Sequence, residues 1–156
     1  MSDLEVRIVT LPPTRVASFH GFGEGPETLA WQKMEAWATA QGFMVDRAQH
    51  RIFGFNNPDP SPGSQNYGYE FWMVVGPEVL GDEQATIKEF AGGLYAVTRC
   101  PVASPWSDIP GTWEKLVKWC EGSEYRIARH QWLEEHIEGA GNGLQFVLDL
   151  YLPIAR

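Results

Sequence analysis

The chain has 156 residues, 44% of them hydrophobic and 21% charged, enough for one domain that buries about two thirds of its unfolded surface. A formal net charge of −8 argues against a sequence-independent nucleic-acid binder, whose affinity comes from Lys and Arg neutralising phosphates. The sequence has no run of 18 apolar residues and no basic, apolar leader, so neither a membrane span nor secretion is supported and a cytoplasmic protein is expected.

In chain order, Leu4 to Leu11 alternates as a strand and stops at Pro12-Pro13, after which Arg15 to His20 resumes the β pattern. Gly21 to Pro26 is a turn, and Pro26 with Glu27 opens a helix carrying Ala30, Met34, Trp37 and Ala38 until Gly42 supplies a stop. Arg51 to Phe55 and Tyr67 to Val75 follow as strands, joined by the proline-rich loop 56–66. A linking strand, Gln84 to Phe90, leads past Gly92-Gly93 into Leu94 to Arg99. Ser107-Asp108 is expected to cap a second helix with Ile109, Trp113, Leu116, Val117 and Cys120 on one face, ended by Gly122. His130 to Ile137 and Gln145 to Ile154 close the chain as strands, with Gly139 to Gly143 as their turn.

A strand, helix, strand, strand order thus occurs twice, over 14–76 and 92–154. The helix-stopping glycines differ by 80 positions (122 − 42), and Glu70 and Asp149 of the closing strands by 79 (149 − 70), which suggests a duplication. The expected fold is a single α+β domain of duplicated β-α-β-β units with pseudo-twofold symmetry. Its antiparallel sheets carry both helices on one face and leave a ligand cleft between the halves.

Strand alternation then sorts side chains by face. In the last strand Phe146, Leu148, Leu150 and Leu152 should face a helix, sending Val147, Asp149 and Tyr151 to the open side. By correspondence Phe71 and Met73 are core, while Gly68, Glu70, Trp72 and Val74 are open. The same rule puts Leu133 and Ile137 in the core and Trp132, Glu134 and His136 opposite. Aromatic walls with buried carboxylates suit a flat hydrophobic or cationic small molecule, and 13% aromatic residues with seven Trp exceed what packing requires. Of these, Trp31 and Trp119 are expected to edge the cleft, and Trp106 lies in a loop before the second helix. Cys100 and Cys120 lack metal-ligand spacing and read as buried thiols. His130 and His136 are about 20 Å apart along a strand, too far to share an ion, and Gly21-Phe-Gly-Glu-Gly25 fits a turn rather than a dinucleotide fingerprint. No cofactor or metal is expected.

At these residues the chain resembles the GyrI-like family, also described as the effector-binding domain of AraC-type and BmrR-type transcription activators. The resemblance spans nearly the whole chain. It rests on the two-unit order, on Tyr69-Glu70-Phe-Trp-Met-Val-Val75, on Trp132-Leu-Glu134-Glu-His-Ile137 and on Asp149-Leu-Tyr-Leu-Pro-Ile154. It implies an aromatic-lined cleft that takes lipophilic cations, with the Glu matching Glu134 at its floor. The chain departs from the family at His136, where Tyr is usual, and at Leu133, where Phe is usual. Both of its helices belong to the repeated units, so no helix-turn-helix and no direct nucleic-acid contact is expected; a transcription regulator or other protein is a further partner.

The expected function is a stand-alone binding protein that senses or sequesters drugs or effectors. An alternative is hydrolysis of cyclopropane-type electrophiles, as the resemblance implies for some members, with Glu134 as general base and His136 or Tyr151 as proton donor. Inhibition of a protein such as DNA gyrase is a third.

Overall fold

The computed structural model describes residues 4–45, 49–138 and 146–156. Nine strands and two helices are present among them: β1 Arg7–Leu11, β2 Thr14–Gly23, α1 Pro26–Gln41, β3 Ile52–Asn56, β4 Tyr67–Val74, β5 Thr86–Phe90, β6 Gly93–Val102, α2 Pro105–Glu121, β7 Arg126–Ile127, β8 Leu133–Glu138 and β9 Phe146–Ala155. The turn expected at 139–143, and Gln145, lie outside the described residues. No helix among those described is long and apolar enough to cross a membrane.

The chain divides into two compact units, Thr14–Phe90 and Met1–Pro13 with Ala91–Arg156. The first has the strand order β3-β4-β2-β5 and the second β1-β6-β9-β8, with the short β7 on β9. All these pairings are antiparallel. The duplication extends to the register. His20 pairs with Glu70 and Arg99 with Asp149, both shifted by 79 (99 − 20 and 149 − 70). The outer strands obey the same shift, since β1 at 7–11 and β5 at 86–90 differ by 79 (86 − 7). These two strands precede the repeats at 14–76 and 92–154, yet each pairs with the repeat that it does not precede: β5 with β2 and β1 with β6. The chain passes between units at Pro12-Pro13 and at Ala91-Gly92. Gly92 has φ +80°, and a Cβ there would run into the Leu11 carbonyl and Pro12, so this crossing demands glycine.

Helix α1 begins at Pro26, where a missing N–H costs nothing, and ends on left-handed Gly42, whose N–H bonds the Thr39 carbonyl. Its apolar stripe of Ala30, Trp31, Met34, Trp37 and Ala38 is buried. Phe71 of β4 meets Trp31 edge-on at 5.3 Å and Phe19 of β2 meets Trp37 at 5.5 Å. Trp31 is therefore core rather than a cleft edge. Close approach of α1 needs Gly21, because a Cβ there would lie 2.6 Å from the Pro26 carbonyl oxygen.

Helix α2 begins one turn earlier than Ser107-Asp108 suggests, at Pro105 with Ser104 as its cap residue. Asp108 still serves the end of the helix, but by reaching back to accept the N–H groups of Ala103 and Ser104 at 2.9 and 2.8 Å. Those backbone bonds hold its carboxyl below the usual range. The expected inner face is present: Leu116 and Cys120 are buried with Leu148, Leu150, Leu152 and Ile154 of β9, and Ile109, Trp113 and Val117 pack beside them. Trp119 stacks on Tyr125, 6.4 Å between centroids. Both cysteines are free and buried, and burial pushes the Cys100 thiol up, which keeps it protonated and unreactive.

Candidate functional site

The face of the first unit turned away from α1 is fixed by register. Ser18 opposes Trp72 and His20 opposes Glu70 across β2 and β4, Phe53 and Phe55 join from β3, and Thr86 with Lys88 from β5. Glu70 and Trp72 therefore occupy the open face that alternation assigns them. Glu70 is 2% exposed and receives four donors. Ser18 Oγ, Trp72 Nε1 and Lys88 Nζ donate to its Oε2 at 2.6, 2.7 and 2.8 Å, and Asn57 Nδ2 donates to Oε1 at 3.0 Å. Trp72, edge-on to Phe55 at 4.8 Å, thus uses its indole N–H to hold the carboxylate.

Burial alone would raise the Glu70 pKa, but the Lys88 ammonium with the Ser18, Asn57 and Trp72 bonds outweighs it, and the net shift is downward from 4.5. A folded-state pKa below the unfolded one contributes stability that is complete above the ordinary value and is lost as pH falls through the depressed one. The melting temperature is accordingly expected to fall below about pH 4.5, and to fall less steeply in Glu70→Gln. Parallel acid profiles for the two proteins would show that Glu70 carries no such linkage.

Over Glu70 lies a pocket of about 540 Å3, walled by Ser18, Phe19 and His20 of β2, Lys33 of α1, Asn57-Pro58, and Gln84, Thr86 and Lys88 along β5 and its approach. β5 pairs only with Thr14–Ser18 of β2, so the far half of β2 is left open and the concavity forms where β5 departs. Lys33 Nζ donates to the His20 carbonyl at 2.8 Å. His20 Nε2 lies 2.6 Å from the Asn57 carbonyl oxygen; a carbonyl only accepts, which puts the proton on Nε2. Asp82 pins the approach to β5: it accepts the N–H groups of Ala85 and Gln84 and, at 3.0 Å, the Trp37 indole. The backbone bonds, led by Ala85, hold its carboxyl below the usual range.

In the second unit Asp149 and Tyr151 lie on the face away from α2, as alternation requires, since Arg99 opposes Asp149 and Val97 opposes Tyr151. Asp149 is 2% exposed, gripped by Arg7 at 2.9 Å and by Arg99 Nε at 2.6 Å. The assignment of β8 is corrected. Glu134 opposes Leu150 and His136 opposes Leu148, which places both on the α2 side, where Trp113 Nε1 donates to Glu134 at 3.1 Å. Trp132, 38% exposed, joins them, its ring 5.2 Å from Trp113. Leu133 and Glu135 take the other face opposite Tyr151 and Asp149, and Tyr151 Oη donates to Glu135 Oε1 at 2.7 Å. The rule that the apolar set faces the helix fails here because both faces are buried: Leu150 is 0% and Tyr151 3% exposed. Leu133 is core, but on the tyrosine side. A bulge between His136 and Glu138 also breaks the parity linking Leu133 to Ile137. Tyr95, buried beside Tyr151 at 5.5 Å, donates to the Gln131 carbonyl; burial, with Tyr151 adding, pushes its phenol well up.

The expected residues therefore do not share one face. Glu70, Trp72, Asp149 and Tyr151 lie on the faces turned away from the helices of their units; Glu134, Trp132 and His136 do not. Missed were Ser18, Asn57 and Lys88, which hold Glu70, and Lys33. Alternation through Thr86, Lys88 and Phe90 of β5 was the signal available for Lys88; Asn57 in the loop 56–66 had none.

The architecture is shared with solved structures at low identity. The C-terminal domain of EcmrR is 12% identical, with a TM-score of 0.69 over 98% of either chain. Against EcmrR in its DNA complex, the present chain spans 57% of the longer protein. A hydrolase from Listeria innocua is 11% identical over 99% of this chain and 94% of its own, TM-score 0.66. SAV2435, solved bound to tetraphenylphosphonium, is 12% identical over 97% and 94%, TM-score 0.57. Among curated proteins none matches. The GyrI-like small molecule binding domain model matches residues 4–155, and with both strand, helix, strand, strand units in place the chain belongs to the GyrI-like small molecule binding domain family.

Proposed function

We propose that this chain is a sensing or sequestering protein that holds a small organic molecule in the pocket over Glu70. The observation that carries this reading is the pocket itself: about 540 Å3, within the range of small-molecule sites, with walls set by a buried carboxylate whose four donors come from β2, β4, β5 and the segment after β3. Side chains locked in this way present a preorganised surface, which lowers the entropic cost of capture. A transcription regulator, or another protein that reads the bound state, is the partner this function calls for.

The test is a thermal-shift screen of small molecules followed by calorimetry, on the parent and on Thr86→Trp. Thr86 is exposed at the pocket wall, so an indole there fills the site without touching the Glu70 bonds. Ligands that stabilise the parent are expected to bind Thr86→Trp at least about tenfold more weakly, a loss of roughly 1.4 kcal/mol. Unchanged affinities would move the site elsewhere.

A second reading, hydrolysis of a cyclopropane-type electrophile, draws on the Tyr151–Glu135 bond in the second unit. It gives the general base to Glu135 instead of Glu134 and the proton donor to Tyr151. Its test is turnover of such an electrophile, abolished in Glu135→Gln and unaffected by Thr86→Trp.

A further inference from the structure

The geometry points to an anion as the preferred occupant of the pocket over Glu70: a small organic acid whose carboxylate is received by Lys33 and Lys88. This deepens the binding reading and rests on it. Glu70 is the one carboxylate among the lining residues, and an ionised carboxyl offers about four acceptor positions. Ser18, Trp72 and Lys88 crowd three donors onto Oε2, and Asn57 holds Oε1. A cation entering the pocket would find its counter-charge already paired with Lys88 and Oε2 filled by three donors, leaving one position on Oε1 beside neutral amide, hydroxyl and carbonyl oxygens.

An anion meets the opposite situation. Each lysine has three N–H donors; Lys88 gives one to Glu70 and Lys33 gives one to the His20 carbonyl, so each has two for a ligand. The Gln84 amide and the Thr86 hydroxyl line the same wall. Two ammonium groups against one carboxylate leave the lining with a net charge of +1 (2 − 1), in a chain whose total is −8. Charge-assisted bonds from lysine to carboxylate are the strong class of hydrogen bond. Glu70 then acts as a positioning residue that aims Lys88, and the selectivity for charge belongs to the lysines.

The experiment uses three probes that share one ring and differ in head charge: benzoate, benzylammonium and benzyl alcohol. Each is titrated into the parent, Lys33→Gln and Thr86→Trp, with amide chemical shifts followed by NMR. Lys33 is exposed, so its replacement leaves the fold intact. Benzoate is expected to shift the amides of Ser18, Thr86 and Lys88 and to bind roughly tenfold more tightly than benzylammonium. Lys33→Gln should weaken benzoate about fivefold while leaving benzyl alcohol unchanged. Equal affinity for the three probes, or preference for benzylammonium, with shifts still centred on these residues and lost in Thr86→Trp, overturns the anion assignment and leaves the binding reading standing. Saturable shifts centred elsewhere, or none with any probe at millimolar concentration, overturn both.

Discussion

Glu70→Ala is expected to destabilise the protein by about 3 kcal/mol, lowering its melting temperature by roughly 6–12 °C. The ion pair with Lys88 is not the main reason, because the Lys88 side chain is 44% exposed and half-exposed pairs contribute little. The loss comes from Ser18 and the Trp72 indole, 7% and 8% exposed, whose donors would be left without partners where water reaches poorly, at about 1–3 kcal/mol each. Glu70→Gln retains one acceptor oxygen and should lose about half as much. Denaturant unfolding of the three proteins measures both values. A change within about 0.5 kcal/mol for Glu70→Ala, the level of an ordinary surface substitution, would mean that the carboxylate does not organise its surroundings.

A second large effect is expected at Gly68. Its N–H bonds the Pro58 carbonyl at 3.0 Å and its carbonyl accepts the Asn57 N–H at 2.8 Å, and a Cβ at this position would strike the Asn57 carbonyl. The obstruction is backbone, which cannot rotate away as a flexible side chain would. Gly68→Ala should therefore cost about 3 kcal/mol, the upper part of the range for overpacking. It should also impair ligand binding, because Asn57 would move from both Glu70 and the pocket wall. Gly63→Ala is the control: it lies in the loop that carries Asn57, at φ +80° with open space around its Cβ, so only modest backbone strain is expected. If Gly68→Ala is no more harmful than Gly63→Ala, the Asn57 segment does not depend on this close approach.

Much of the fold was legible because local rules and packing agree. Pro26 and Gly42 bracket α1, the 3.6-residue stripe of Ala30, Met34, Trp37 and Ala38 is its buried face, and the offset between Glu70 and Asp149 is also the offset of their strand registers. Legibility failed where packing supplies information that alternation lacks. β8 pairs with a strand, β9, that is buried on both faces, and it carries a bulge, so its parity depends on the partner strand rather than on its own sequence. Nor does any local signal say that the strand before Pro12-Pro13 pairs with β6 instead of with the neighbouring repeat; strand exchange is a tertiary choice. The same holds for the site. Glu70 was identifiable as a buried acid, but its four donors, from Ser18, Asn57, Trp72 and Lys88, draw on residues up to 52 positions away. The pairing with Lys88 turns Glu70 from a counter-charge for a cation into a support for that lysine.

Whether the pocket over Glu70 is where this protein holds its ligand is decided by a crystal structure with a ligand from the thermal-shift screen. Ligand density bounded by Ser18, Lys33, Thr86 and Lys88, with all four donors still on Glu70, is the expected result. Density lying instead against Tyr95, Tyr151 and Glu135 of the second unit, with this pocket holding only solvent, would contradict it.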